Sequence, residues 1–503
     1  MIHTGRQELS NNVFAAGLAY FVAAIVGFVM PRVIYETVGP VSLGLWDLGW
    51  SFLVYLSFSG IGLGSAIAHY LSTLNSSGTA SSANRIIVTG AIGQLLFALL
   101  TTTLFIGGFT FIDQTDYLGS SEQSSEILSI GVLLGATIFW VLIGDIAQGI
   151  LLSRHKSRLG EVINLCHDVV LALSMVASLI SGFGIVGLAL ATCIVRIIAE
   201  LVRFKFARDY VKSVERPLLF YSHQTLRTLV FYGIKSSAAV TQELIIHQTV
   251  RLTLFVSLGP AALAAFSRYA TIARQINRLV DKLSIAIPTV ASEHAANGEY
   301  DEINTLYLSS VRSGLFLTLP MLSVFCVFGD VIVKTWMGEN FVVPQLAWLF
   351  SGACLLHVNY SLGNRILSGL NAHGRITLAC LALSGLALMA IFLFWPPHRI
   401  DEYAGLILVV VIFSVQIPHA IFVSFRLRIP FRALLVQSYL RPCAINALLL
   451  LSLLAISNRV ENEDLLVAYT LILIAAVIFT KVYWHFAFTP LAKQELRTLF
   501  QRT

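Results

Sequence analysis

Apolar runs of about twenty residues recur along the whole chain, set apart by short polar breaks, and a run of that length is enough to cross a bilayer as a helix. Reading the runs against the breaks predicts fourteen helices, at roughly 12–35, 43–70, 84–108, 128–152, 161–181, 184–203, 226–257, 260–290, 304–335, 343–370, 375–395, 403–425, 437–457 and 464–487. The expected fold is all-α, a polytopic membrane protein with about 14 transmembrane helices. The first run (Val13–Met30) is longer than a signal-peptide core, and Pro31–Arg32 follows it in place of a small-residue cleavage site, so it reads as a retained first helix.

Composition agrees. Of 503 residues 12% are charged and 56% hydrophobic, against about 25% charged in soluble chains; the mean hydropathy is +0.79. The net charge of +6 would suit a nucleic-acid partner, but its distribution gives another reason. Only Arg32, Lys334, Arg399 and Arg459 fall on the odd-numbered connections between helices, whereas one even connection alone holds Arg203, Lys205, Arg208, Lys212, Arg216 and Arg227. The third connection (Phe111–Glu126) carries acids and no base. This asymmetry places both termini in the cytoplasm and accounts for the charge without nucleic acid. The connection Arg203–Arg227 mixes bases with aromatics and reads equally as an amphipathic helix on anionic headgroups or a solvated linker.

The pattern also repeats. A shift of 220 residues lays "VGPVSLGLWDLG" (Val38–Gly49) on "LGPAALAAFSRY" (Leu258–Tyr269), with Gly39–Pro40 on Gly259–Pro260. It also lays Ser72–Gly78 on Ser292–Gly298. A shift of 218 lays "IVGLAL" (Ile185–Leu190) on "YAGLIL" (Tyr403–Leu408), and His155 on His373. Predicted helices 1–6 and 7–12 are therefore two pseudo-symmetric six-helix bundles. Six is even, so both bundles start from the same side and are parallel repeats. The expected divisions are an N-terminal bundle at 1–203, a cytoplasmic linker at 204–225, a C-terminal bundle at 226–425, helices 13–14 at 437–487 and a cytoplasmic tail at 488–503.

One span breaks the apolar rule. Ala264–Val290 carries Arg268, Arg274, Arg278, Asp281 and Lys282. At 100° per residue the four cations fall within about 120° of arc, over roughly 21 Å of helix. Facing lipid they would cost on the order of 10 kcal/mol, but facing a hydrated space between the bundles they would cost little. On the preceding helix Glu243, His247 and Arg251 follow one another at i+4 steps, and Arg251 reaches a depth comparable with Arg268. The repeat sets Arg32 against Arg251 to within one residue, with Glu36 one turn on to neutralise it. Guanidinium groups bind phosphate oxygens bidentately, so Arg251, Arg268, Arg274 and Arg278 are the candidates for an anion-binding cavity.

The remaining ionisable residues in or near spans are Asp47, Asp145, His167, Asp168, Arg196, Glu200, Lys235, Arg312, His357, Arg365 and His419. The plain reading for each is an interior ion pair or a side chain reaching past a helix end, and it is preferred for Lys235, Glu200, Arg365 and Lys282. Enzyme signatures are weak. There is no Walker loop. "GFGIVG" (Gly182–Gly187) is a tight turn between membrane helices, without the βαβ setting of a dinucleotide site. "DQTD" (Asp113–Asp116) resembles an acidic metal-binding pair but lies in a loop with no large outer domain. Cys166, Cys193, Cys326, Cys354, Cys380 and Cys443 all fall in predicted spans and none pair at C-x-x-C spacing, so neither disulfides nor zinc are expected. No cofactor is expected.

Three stretches in order then resemble the Wzx-type polysaccharide flippases of the multidrug/oligosaccharidyl-lipid/polysaccharide (MOP) exporter superfamily. They are "VGPVSLGLWDLGWSFLVYLSFSGIGLGSAIAHYL" (Val38–Leu71), the segment from "SLGPAALAAFSRYATIARQI" to "LYLSSVRSGLFLTLPM" (Ser257–Met321), and that from "WMGENFV" to "LLHVNYSLGNRILSGLNAHGRI" (Trp336–Ile376). The likeness runs from helix 1 to about helix 12 and consists of glycines, prolines and polar turns. It departs at His69, where many relatives carry an arginine. What it implies is a V-shaped pair of bundles in the bacterial inner membrane. These move an undecaprenyl-diphosphate-linked oligosaccharide, an O-antigen or exopolysaccharide repeat unit, from the cytoplasmic to the periplasmic leaflet. The last two helices would help form a groove for the lipid tail, and a polysaccharide polymerase and export machinery would be partners. On that reading Arg251, Arg268, Arg274 and Arg278, with Arg32 and His247, hold the diphosphate, and Asp47, Asp145, Asp168 and Glu243 are candidates for coupling to a cation or proton. The alternatives are a lipid II-type flippase or multidrug/cation antiporter of the same superfamily and, less well supported, a membrane enzyme of glycan assembly.

Overall fold

The computed structural model describes residues 2–58, 62–74, 80–113, 121–154, 156–208, 220–284, 287–370, 372–394 and 412–457. Predicted helix 14, the C-terminal tail, His155, the middle of the linker between the repeats (209–219) and the first part of predicted helix 12 lie outside these residues. So do the side chains of Lys235, Glu243, His247 and Lys282. The described residues form helices and turns, without strands: α1 (Ile2–Phe58), α2 (Leu63–Leu74), α3 (Ala80–Asp113), α4 (Ser121–Ser153), α5 (Ser157–Ile180), α6 (Gly184–Arg208), α7 (His223–Leu283), α8 (Ile287–Ala296), α9 (Tyr300–Met337), α10 (Leu346–Gly369), α11 (His373–Phe394), α12 (Ile417–Arg426) and α13 (Phe431–Ser457). α12 is preceded by a π-helical turn at Ile412–Gln416, and α13 contains another at Leu435–Leu440.

Seven helices among these residues are long and apolar enough to cross a membrane. α3 shows why the chain needs lipid: Leu96, Leu100 and Leu104 are 61%, 58% and 68% exposed, a ridge no aqueous surface would tolerate. α11 carries a similar ridge at Leu378, Leu386 and Leu393. The protein is an all-α, multi-pass membrane protein.

One predicted boundary recurs in each repeat where the sequence placed it: α1 spans predicted helices 1 and 2, which meet at a kink with non-helical backbone at Gly39, and α7 spans predicted helices 7 and 8, which meet at the same kind of kink at Gly259. Both glycines have φ 83° and ψ 177°, a backbone essentially restricted to glycine, and each is followed by a proline. The sequence match between them is thus a match of conformation. Further along, the second predicted helix of each repeat is interrupted, at a turn residue Gly62 with φ 61° in the first and at a turn residue Ser284 in the second, and short helices α2 and α8 follow. Hydropathy does not register these breaks because the residues around them, "FSGIGLG" and "SIAIPTV", stay apolar.

The chain divides into two compact units, Met1–Ala264 and Ala265–Thr503. In the first, a core of Leu63, Ala66, Ile67 and Leu71 from α2 packs on Ile146, Ala147, Ile150 and Leu151 of α4, with Ile86, Ala207 and Leu229 closing it. The α2 and α4 backbones come so close that a Cβ on Gly149 would overlap the Gly64 carbonyl. Such small-residue crossings drive helix association in lipid, where burial of apolar surface gains little. The Gln94 amide crosses from α3 to donate to the Leu142 carbonyl at 2.8 Å. In the second unit Gly369 of α10 makes the equivalent approach to Pro288 of α8. α13 is fastened to α9 through Phe328, Leu449 and Leu453, and the Asn446 amide donates to Ser323 Oγ at 2.7 Å. The thirteenth predicted helix is an integral layer of this unit.

Candidate functional site

Within the first unit Arg251 of α7 donates from Nη1 to Ser51 Oγ at 2.7 Å. Ser51 lies one turn beyond Asp47 on α1 and donates its own hydroxyl to the Asp47 carbonyl. α1 and α7 meet closely here: a Cβ on Gly44 would overlap the Pro260 carbonyl. Arg251 and Ser51 are therefore neighbours on facing helices, one turn from Asp47, which sequence spacing did not reveal. Arg32, partly exposed, forms an ion pair with the exposed Glu36 at 2.6 Å, as the i+4 spacing suggested.

Asp145 and Asp168 lie beside a group in which Glu200 forms the interior ion pair expected from the sequence. On α6, Arg196, Glu200 and Arg203 share one face at i+4 and i+3 spacing. Glu200 is 1% exposed, accepts from Arg196 Nη1 at 3.3 Å and is paired with Arg203 Nη1. Arg203 also donates from Nη2 to Asn164 Oδ1 of α5 at 2.6 Å. Sequence reading assigned Arg203 to a cytoplasmic connection; α6 instead runs on to Arg208 and holds Arg203 buried. Gly144 of α4 makes room for this cluster, since a Cβ there would overlap the Glu200 carboxylate. Asp145, its neighbour in sequence, lies within the field of Glu200, Arg203 and Arg196, and Asp168 within that of Arg196. His167 Nδ1 stands 2.9 Å from the Asp168 carboxylate. Two of the coupling candidates thus lie within the field of the Arg196–Glu200–Arg203 cluster, Asp168 with its side chain half-exposed.

In the second unit the arginine stripe grades along α7. Arg268 is 1% exposed, with its guanidinium carbon 5.8 Å from the Trp336 ring centroid, a cation–π distance. Its neighbour Tyr269 donates to Asp330 Oδ1 at 2.7 Å and accepts the Val343 N–H at 3.1 Å, pinning this turn to α9 and to the chain entering α10. Arg274 is half-buried and Arg278 exposed. Asp281, at the end of the stripe, accepts from Ser361 Oγ at 2.5 Å and lies 3.9 Å from His357 Nε2 of α10. The helical face inferred from spacing therefore runs from a buried cation to an exposed one over three turns.

A family model described as "Polysaccharide biosynthesis protein" matches residues 148–344, a stretch containing α5 to α9 and all four arginines. No curated protein sequence matches the chain significantly. Among solved structures, the inward closed conformation of the lipid II flippase MurJ is similar over 93% of this chain and 98% of its own, with a TM-score of 0.67 at 13% identity. The inward-facing conformation of a multidrug resistance MATE family transporter of the MOP superfamily is similar over 82% and 94%, with a TM-score of 0.65 at 15% identity. A MOP superfamily transporter from Pyrococcus furiosus, described as having a binding pocket of reverse polarity that suggests a different function, is similar over 84% and 96%, with a TM-score of 0.58 at 14% identity. Over more than four fifths of its length the chain has the fold of the MOP-superfamily transporters, and residues 148–344 match the polysaccharide biosynthesis protein family.

Proposed function

We propose that the protein flips an undecaprenyl-diphosphate-linked oligosaccharide, an O-antigen or exopolysaccharide repeat unit, from the cytoplasmic to the periplasmic leaflet of a bacterial inner membrane. The supporting observation is that the segment matched to polysaccharide biosynthesis is the one that carries Arg251, Arg268, Arg274 and Arg278. A sugar diphosphate is too polar to cross hydrocarbon unaided, whereas its polyprenyl tail stays in lipid. The protein has only to offer the headgroup a cationic, hydrated path and alternate its access between leaflets. In this reading the four arginines, with Arg32 and His247, bind diphosphate oxygens in turn. Asp47, Asp145, Asp168 and Glu243 are the places where a cation or proton drives the cycle. Both termini lie in the cytoplasm, and a polysaccharide polymerase with its export machinery takes the product.

The likeness to the lipid II flippase favours one second reading, the same chemistry on a different glycan. A multidrug/cation antiporter fits less well, because expelling organic cations calls for acidic groups where this chain places a basic stripe. A membrane enzyme of glycan assembly would release a new product, whereas a flippase alters only leaflet accessibility. Purified protein in proteoliposomes, given fluorescent undecaprenyl-diphosphate oligosaccharide or lipid II, separates these readings. We expect the first to become accessible from the opposite leaflet with no change in mass, and the rate to fall at least tenfold when all four arginines become glutamine. Flipping at the full rate in that variant would overturn the arginine assignment.

A further inference from the structure

The turn that joins α12 to α13 puts three arginines into seven residues, "RLRIPFR" (Arg426–Arg432), in a stretch with no acid between Tyr403 and Val460. Arg426, Arg428 and Arg432 are exposed, and among the described residues none of their guanidinium groups has an ion pair or a hydrogen bond. The general excess of bases on even connections does not account for this density. The turn between α8 and α9, expected on the same side of the membrane, carries Glu293, Glu299, Asp301 and Glu302, with His294 paired to Glu299. α9 packs on α13 where Ser438 Oγ donates to the Leu308 carbonyl at 2.9 Å, yet among the described residues Asp301 and Glu302 pair with none of the three arginines.

The backbone of the turn is fixed. The Arg428 N–H donates to the Phe425 carbonyl at 3.2 Å and the Ile429 N–H to the Ser424 carbonyl at 2.9 Å, the paired bonds that close a helix on a left-handed residue. That residue is Arg428, at φ 55°, one of two non-glycine residues with positive φ among the described residues. Glycine usually takes this place, because a Cβ is crowded there. Val423, Leu427 and Ile429 are buried and hold the turn from within. The chain thus accepts a strained arginine where glycine would close the helix, and sets a third guanidinium between two others. Among the described residues nothing uses that charge, so its partner lies outside the chain.

The surrounding surface fits a lipid. Ile421 and Phe425 stand one turn apart on α12 and are both exposed, Phe425 at 82%. On α13 Phe431 is 60% exposed, and Val436 and Leu440 continue the exposed apolar face. Such faces suit lipid, like the ridges of α3 and α11, and both end at this turn. Its arginines therefore stand where hydrocarbon gives way to headgroups, with a phenylalanine on either side to enter the acyl boundary.

We propose that the α12–α13 turn is a binding site for the phosphate of an anionic phospholipid of the bilayer, such as phosphatidylglycerol. Guanidinium groups take phosphate oxygens in bidentate pairs, and a turn already fixed in shape loses little entropy in presenting them. The bound lipid stays in its leaflet and is not transported, its tails lying along the exposed faces of α12 and α13. The site requires only that the chain span a membrane, so it stands or falls apart from the flippase reading.

The full chain in detergent is titrated with phosphatidylglycerol or with phosphatidylcholine, and bound lipid is counted by native mass spectrometry. The wild-type protein should bind phosphatidylglycerol the more tightly. R428G should weaken that binding about fivefold, and R426Q/R428G/R432Q about a hundredfold. R428G also separates binding from structure, since glycine suits the left-handed backbone and the melting temperature without lipid should not fall. R432Q lies outside the helix cap and should show a similar fivefold loss whatever R428G does to stability. K205Q/R208Q, which removes exposed bases at the end of α6, controls for general attraction to a basic protein and should leave the binding unchanged. Equal affinity of the wild type for the two lipids, no loss in R432Q or in the triple variant, or an equal loss in K205Q/R208Q overturns the site. Arginine-dependent binding of undecaprenyl diphosphate with none of phosphatidylglycerol would also overturn it, by assigning the turn to the transported lipid.

Discussion

Glu200 shows how much one membrane-buried carboxylate can organise. Its two guanidinium partners come from the same helix face, and a glycine on α4 is given up to admit it. Removing one member of a buried pair leaves charge uncompensated and typically costs 3–5 kcal/mol, so E200Q should lose about 3 kcal/mol of stability. The measurement is the melting temperature in detergent, with G144A expected to lower it for the reciprocal steric reason. An unchanged melting temperature in both variants would show the network to be incidental. The arginine facing Ser51 is a different case. R251Q should slow flipping at least tenfold while leaving melting nearly unchanged, because Arg251 is only partly buried and its Ser51 contact adds little to the fold. At this scale the sequence was half legible. Spacing identified the faces carrying Arg268, Arg274 and Arg278, and Arg32 with Glu36. It did not show that Arg203 belongs inside, nor that Arg268 meets the Trp336 ring, because periodicity fixes which residues share a face and says nothing about which helix the face meets.

Among elements, α1 and α7 are the informative pair. Both bend at a Gly–Pro step with the same dihedral angles, and a Cβ at either glycine would meet nothing within 4 Å. The requirement for glycine is therefore purely in the backbone. G39A or G259A should cost about 1–3 kcal/mol without any steric clash. Circular dichroism melts of the two variants should fall by similar amounts, since the two sites are conformationally equal. A loss in one and none in the other would mean that only one bend persists in solution. Gly–Pro was the readable signal here. The turns at Gly62 and Ser284 were not readable, since apolar residues continue through them and hydropathy follows solvent preference, not backbone path.

At the scale of the molecule, the counting of bases on alternate connections makes a claim about sidedness. The turn at Ser181–Phe183 between α5 and α6 is expected outside, and the connection before α7 inside. Phe183 and Tyr221 are 68% and 42% exposed, so cysteines placed there are reachable by reagent. In intact cells F183C should react with a membrane-impermeant maleimide and Y221C only after permeabilisation. The opposite pattern would reverse the whole topology and with it the direction of transport. The repeat and the helix count were legible across most of the chain because both are patterns of composition. The division at Ala264/Ala265, inside α7, was not, because compactness depends on contacts between residues far apart in sequence.

The paired bends carry one more consequence. A backbone at φ 83° and ψ 177° is the mirror image of an ordinary extended conformation, so Gly39 and Gly259 are points where an otherwise left-to-right-consistent chain adopts the opposite handedness. An L-residue there is strained, but a D-residue would be at rest. Ribosomes cannot supply one, and glycine, being achiral, is the only genetically encoded residue that satisfies both hands. D-alanine introduced at either position by chemical ligation should therefore stabilise the protein, by about 0.4–1 kcal/mol through a narrower unfolded ensemble.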